Sequence, residues 1–290
     1  MTHSDTENGA TGAHVPADGE LPATAVDLVR ADGTAGALWQ AWTTGERLAE
    51  LPELLRPRTL AEGFTAQSRL SERAGPSYGW KLAATAAAGQ AHIGVDAPLP
   101  GPLFERFRHA PGDVVPAHDL HMAVAEAEFA FRMGAAVGPG ASAAELRDAV
   151  AAVHCAVELP DSRFADFAVA GAPQLVADAA CAGRFVLGPE ISGALDLDLA
   201  ATPTALEVEL PGGHADRAMG SGAAVLSDPW TALAWLGEAL PRYGSGLRAG
   251  DVVTTGTTTV PMAIRPGARV RATFGDGGSL GAVEFILADV

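Results

Sequence analysis

AVAEAEFAF, residues 123–131, is the stretch on which the fold turns. Its acidic and apolar residues alternate with a period of two, the mark of a strand, in which successive side chains point to opposite faces. One face then carries Val124, Glu126, Glu128 and Ala130, and the other Ala125, Ala127, Phe129 and Phe131. The second face is made for a core. The first sets two carboxylates side by side, about 7 Å apart along the strand, in apolar surroundings. Like charges short of solvent raise each other's pKa unless a cation lies between them. Hard divalent ions such as Mg²⁺ or Mn²⁺ prefer oxygen ligands of this kind. The plainer alternative is a solvated face of an edge strand.

About thirty residues on, HCAVELPDSRF (154–164) repeats the pattern. His154, Ala156 and Glu158 share one face, and Val153, Cys155, Val157 and Leu159 the other. Glu158 is a third acid in an apolar strand. Three carboxylates from two strands can form one facial ligand set, with positions left for a chelating substrate. His154 reads as a satisfied core histidine, and Asp161 with Arg163 as a surface ion pair in the turn. His118 and His121 have HxxH spacing but lack the further ligands and helix of a zinc protease. Cys155 faces a core and Cys181 lies among small residues, with no base beside either for thiol chemistry.

Other segments supply the frame. Residues 21 to 72 read as helical, with a break at Asp32-Gly33 and a second helix, LAEGFTAQSRLSERAG (60–75), closed by Gly75-Pro76. Ser142 with Glu145 three residues on forms a capping-box pattern, and Asp228-Pro229 opens another helix. After residue 78 short β-like runs alternate with turns, in keeping with 34 glycines and 20 prolines. Strands and helices mix without regular βαβ alternation, which predicts an α+β fold with mixed sheets. The expected division is a disordered tail (1–20), a helical N-terminal cap (21–76) and a catalytic domain (77–290).

The net charge of -16 repels phosphate backbones and anionic membranes, so neither nucleic acid nor membrane is an expected partner. No run of apolar residues reaches the ~18 needed for a membrane span. The N-terminal stretch lacks the apolar segment of a signal peptide, so the expected location is cytoplasmic. No glycine-rich phosphate loop is present. The 19 basic residues comprise 18 arginines and one lysine, Lys81. A lysine surviving so strong an arginine bias suggests a task for a compact charge with a shiftable pKa.

These residues resemble a family. GWKLAAT (79–85) followed by HIGVDAPLPGPLF (92–104), then VAEAEFAF (124–131), AVELPDSRF (156–164), GAAVLSDPWTALAWLGEAL (222–240), RAGDVVTTG (248–256) and GGSLGAVEF (277–285) are similar to motifs of 2-oxopent-4-enoate hydratases. Related 2-oxo-3-hexenedioate (4-oxalocrotonate) decarboxylases share them, within the fumarylacetoacetate hydrolase superfamily. The resemblance spans about residues 22–290. It implies a mixed β-roll of the fumarylacetoacetate hydrolase C-terminal type with a smaller helical N-terminal portion, in homo-oligomers. It implies Mg²⁺ (or Mn²⁺) on Glu126, Glu128 and Glu158, catalytic Lys81 with Asp96 as its partner, and Gln67, Thr255 and Gly256 at the substrate. The implied substrate is a small 2-oxo acid. The first expectation is a hydratase, the second a decarboxylase using the same metal site, and the third a non-catalytic partner subunit. ADAAC (177–181) departs from the family's ADNAS, replacing an amide and a hydroxyl by Ala179 and Cys181.

Overall fold

The protein is seen in a computed structural model that describes residues 24–289. The tail expected over residues 1–20 lies outside them. The chain opens with helices α1 (Ala25–Thr44) and α2 (Leu60–Ala74), followed by β1 (Ser77–Ala83), α3 (Ala87–Ile93), β2 (Leu99–Phe104), β3 (Arg108–His109) and β4 (Val114–Pro116). Next come β5 (Val124–Met133), α4 (Ala143–Asp148), β6 (Val150–Leu159), α5 (Ala172–Ala177), β7 (Arg184–Glu190), β8 (Pro203–Glu209) and β9 (Ala215–Ser221). Helix α6 (Pro229–Ala239), β10 (Val252–Thr254), β11 (Met262–Ala263), β12 (Arg269–Phe274) and β13 (Gly281–Ala288) complete it.

Helix α1 runs unbroken through Asp32-Gly33, where the sequence predicted a break. A Cβ on Gly33 would meet Leu55 Cδ2 at 2.7 Å, so the glycine makes room for the returning chain and does not end the helix. Thr24 caps α1 in a capping box with Asp27, and Gly45 ends it in the left-handed conformation. Helix α2 starts at the Thr59 cap and stops at Gly75, as expected. The two helices bury Leu38, Trp42 and Leu70, with Leu51 of the connection between them, against Phe104 and Phe164. Ser142–Glu145 forms the expected capping box of α4, and Asp228 caps α6 with Pro229 in its first turn.

The strands form two curled mixed sheets. The first runs β2-β1-β10-β5-β6-β7-β3, with β11 added to β5, and the second β4-β13-β12-β8-β9. Strands β8 and β9 pair as a hairpin, while β7 joins the first sheet beside β6. Strand β5 is central, paired antiparallel with both β10 and β6, which rules out the solvated edge-strand alternative. One face of β5 and β6 packs Phe129, Phe131, Val153, Cys155 and Val157 into the core shared with the second sheet. There Phe129 meets Phe274 with ring centroids 5.2 Å apart. The opposite face carries the acids. No helix of the described residues is long and apolar enough to cross a membrane.

Candidate active site

The register of β5 and β6 places Glu126 directly opposite Glu158, and Glu128 opposite Ala156. Like charges directly opposite on a ladder repel, and here they do so with little water. Glu128 and Glu158 are fully buried, and only Glu126 keeps an edge to solvent. One carboxylate oxygen from each residue lies within 4.8 Å of the others, the one such acidic group among the described residues. Glu128 Oε1 and both oxygens of Glu158 have no hydrogen-bond partner. Burial pushes Glu126 up to about 7, with the charge of Glu158 adding and that of Lys81 opposing. Burial raises Glu128 well above the usual carboxylate range, reinforced by its two acidic neighbours. Glu158 is also raised by burial, though Lys81 restrains the shift.

Lys81 reaches the same face from β1. Its Nζ lies 3.1 Å from Glu158 Oε1, a charge contact without hydrogen-bond alignment, and donates to the Ala180 carbonyl at 2.9 Å. Burial alone would lower its pKa, but the negative charge around it, led by Glu158, leaves it raised. Lys81 is therefore an ammonium. Positive φ in non-glycine residues clusters here: Ala84 just past the lysine strand, Ala123 just before β5, and Ala179, Ala180 and Cys181 in succession beside Lys81. Such strain is retained only where surrounding structure over-determines it, and it collects at functional sites.

The segment after β10 secures Glu128. The Thr254 hydroxyl and the Gly256 N–H (2.9 Å) both donate to Glu128 Oε2. Gly256 has φ +100, and a Cβ there would lie 1.9 Å from Thr85 Oγ1, so only glycine fits. Thr255 turns its hydroxyl to the Phe129 carbonyl at 3.1 Å. Gln67 spends its amide hydrogens on the carbonyls of Pro100 (3.0 Å) and Val176 (2.8 Å), tying α2 to β2 and α5. Asp96 is not brought to Lys81. It is exposed beyond the glycine-capped end of α3, and it lines a separate cavity of about 450 Å³ with Leu99, Trp235 and Tyr243.

Thr254, which the motif resemblance does not single out, gives Glu128 its closest support through its hydroxyl. A strand's alternation holds the signal, since Thr254 and Gly256 share a parity. The Asp161–Arg163 surface pair is not formed. Asp161 pairs with Arg47 at 2.7 Å and accepts the backbone N–H of His121 and Met122, while Arg163 is fully buried against Asp178. His154 Nδ1 meets the Gly188 carbonyl at 3.1 Å, yet its Nε2 is buried without a partner, so it is only half satisfied.

Residues 78–285 match the family model described as fumarylacetoacetate (FAA) hydrolase C-terminal. The chain is 31% identical to a 4-oxalocrotonate decarboxylase of Pseudomonas putida over 88% of its own length and 95% of that protein. It is 29% identical to a 2-keto-4-pentenoate hydratase of Paraburkholderia xenovorans (strain LB400) over 80% of its own length and 87% of that one. A solved 4-oxalocrotonate decarboxylase from Pseudomonas putida G7, complexed with magnesium and adipate, superposes with a TM-score of 0.77 at 26% identity, over 90% of this chain and 97% of the other. The sheet arrangement, the matched span and these likenesses agree: the chain belongs to the fumarylacetoacetate hydrolase C-terminal family.

Proposed function

We propose that the chain is a divalent-metal-dependent hydro-lyase that adds water to a 2-hydroxy-dienoate or 2-oxo-enoate acid. One observation carries the proposal: three buried carboxylates converge beside a single ammonium, with Glu128 Oε1 and both Glu158 oxygens lacking partners. Three negative charges against one positive leave a deficit that a dication cancels, and buried charge survives only when paired. The donor set is all oxygen, which suits Mg²⁺ or Mn²⁺. Glu126, Glu128 and Glu158 would hold the ion, which when bound supplies Lewis acidity toward a chelating 2-oxo carboxylate.

The chain's own groups do the rest. Thr254 and Gly256 fix the Glu128 carboxylate, so its free oxygen is aimed before substrate arrives. Lys81 Nζ uses one N–H on Ala180 and faces Glu158 with another, leaving a third direction for substrate. There it balances the substrate's negative charge and relays a proton at Nζ. Ketonisation makes the distal alkene electrophilic, and water adds at the distal carbon. Thr255 and Gly256 line the substrate side in this proposal, and Gln67 braces the wall behind it. Asp96 enters only as a residue of the neighbouring cavity, since it lies apart from Lys81. The reading includes residues 21–76 as a cap on a catalytic 77–290, a homo-oligomeric assembly, and a cytoplasmic location, in keeping with the acidic net charge and a site that takes a diffusible acid.

A second reading is a carboxy-lyase using the same residues, favoured by the likeness of the whole fold to the solved 4-oxalocrotonate decarboxylase. There the 2-oxo group, through its conjugated chain, takes the electron pair released as carbon dioxide departs. The two are separated by incubating purified protein and Mg²⁺ with a 2-hydroxy-dienoate monoacid and, in parallel, a vinylogous 2-oxo diacid. The hydratase reading expects loss of the dienoate chromophore and a hydroxylated 2-oxo acid from the first, with no carbon dioxide from the second. Carbon dioxide release without hydration reverses the assignment, and no turnover of either, with Mg²⁺ still raising the melting temperature, turns it to a non-catalytic subunit.

A further inference from the structure

Three consecutive residues, Ala179, Ala180 and Cys181, have left-handed backbone angles with φ of 53, 50 and 61. None is glycine, so each resists that conformation. The middle one presents its carbonyl to Lys81 Nζ at 2.9 Å. What holds the segment is a fully buried side-chain clamp. The Asp178 carboxylate accepts from Ser162 Oγ (2.8 Å), from the Arg163 backbone N–H (3.0 Å) and from Arg163 Nε. The same guanidinium donates through Nη2 to the Asp178 carbonyl (2.7 Å) and through Nη1 to the Ala182 carbonyl (2.8 Å). Arg163 thus bridges the residue before the strained triplet and the residue after it. Its other side is closed by the Trp42 ring, 3.9 Å from the guanidinium carbon. On the sheet side the Ala179 carbonyl rests on Gly101, where a Cβ would lie 1.9 Å from it.

We propose that Ser162, Arg163 and Asp178 are positioning residues that act on Lys81 through the Ala179–Cys181 backbone, forcing the Ala180 carbonyl against its ammonium. The clamp makes no hydrogen bond to the acidic triad; it meets the site through this backbone and through the Cys181 thiol, which lies between Ser162 and Lys81. A planar fork with donors on three sides suits the task, since one group must grip a carboxylate and two carbonyls at once. Without the clamp the triplet relaxes toward ordinary backbone angles and the carbonyl turns away. Lys81 then keeps Glu158 as its one anchor and loses its fixed direction. The inference rests on the reading that Lys81 acts in turnover, but the placement of the lysine can be read without any substrate.

The test uses the full-length protein and exploits Lys81 being the sole lysine. Isotope-labelled lysine then gives a single side-chain ammonium signal in NMR. Arg163→Gln combined with Asp178→Asn removes both charges together and leaves no unpaired ion in the core. Ser162→Ala, which deletes one hydroxyl, serves if the double variant does not fold. The expected result is a shifted or broadened lysine signal and a fall in kcat of about tenfold in the double variant, smaller in Ser162→Ala. Adding Ala180→Gly, which makes the left-handed angles costless at the middle position, restores a large part of both. A lysine signal unchanged in the folded variant overturns the proposal, as does a loss that Ala180→Gly does not restore, the mark of a general structural role. If the unaltered protein turns over no 2-oxo acid, the hydratase reading fails while the lysine signal still decides this one.

Discussion

A single side chain, Lys81, sets an ammonium against the acidic cluster. It is buried among three carboxylates and stays charged because their field outweighs the penalty of burial. Arginine satisfies the other 18 basic positions of the chain but would not serve here. A guanidinium is broad and planar, whereas the space between Glu158 Oε1 (3.1 Å) and the Ala180 carbonyl (2.9 Å) suits a compact ammonium. Lys81→Arg and Lys81→Ala are therefore both expected to lower turnover about tenfold or more, some 1.4 kcal/mol in the barrier. Circular dichroism should show both folded. Glu126→Gln removes a ligand charge at the one member of the triad with an edge to solvent, so the fold tolerates it and turnover falls by a similar factor. Near-normal kcat/KM in both Lys81→Ala and Glu126→Gln would defeat the assignment of the site.

Elements explain which parts of this site the sequence exposed. Glu126, Glu128 and Glu158 were legible because β5 and β6 are regular strands of ten residues each, and alternation in a regular strand sorts side chains to faces without knowledge of the fold. The route of Arg163 was hidden, because its partner Asp178 is fifteen residues away in a segment with no regular backbone. The break foreseen at Asp32-Gly33 failed for a tertiary reason: Leu55 packs on the glycine, and packing overrides local propensity. Asp96 was linked to Lys81 by motif alone, and α3 with its Gly94 cap carries it elsewhere. Element-level features also separate stability from function. Gly256→Ala imposes a strained φ and collides with Thr85, costing ~1–3 kcal/mol and pulling an N–H from Glu128. Both melting temperature and Mg²⁺ affinity should fall in calorimetry and metal titration; unchanged metal affinity would show that the Gly256 N–H does not help to hold Glu128. Ser142→Ala removes the cap of α4, far from the acids, and costs ~1 kcal/mol. It should lower the melting temperature and leave kcat as it was.

For the whole molecule, the buried acids link folding to protons and to metal at once. With no metal bound, burial raises all three carboxylates, Glu126 to about 7. The folded state then keeps protons that the unfolded chain releases above its ordinary carboxylate value, ~4.3 for glutamate. Stability of a state that holds extra protons is full below that value and declines as pH rises toward and through the folded values. The metal-free protein should therefore lose stability between about pH 5 and 8 through this group. A divalent ion needs the carboxylates ionised and displaces those protons, so its affinity climbs over the same interval. The two trends diverge. The gap in melting temperature between protein with saturating Mg²⁺ and protein with a chelator should be small near pH 5 and widen steadily to pH 8. Glu126→Gln, lacking one of the titrating ligands, should flatten that widening. A gap of constant size across the interval would mean that the ion binds at groups ionised throughout, and so at surface acids instead of the buried triad.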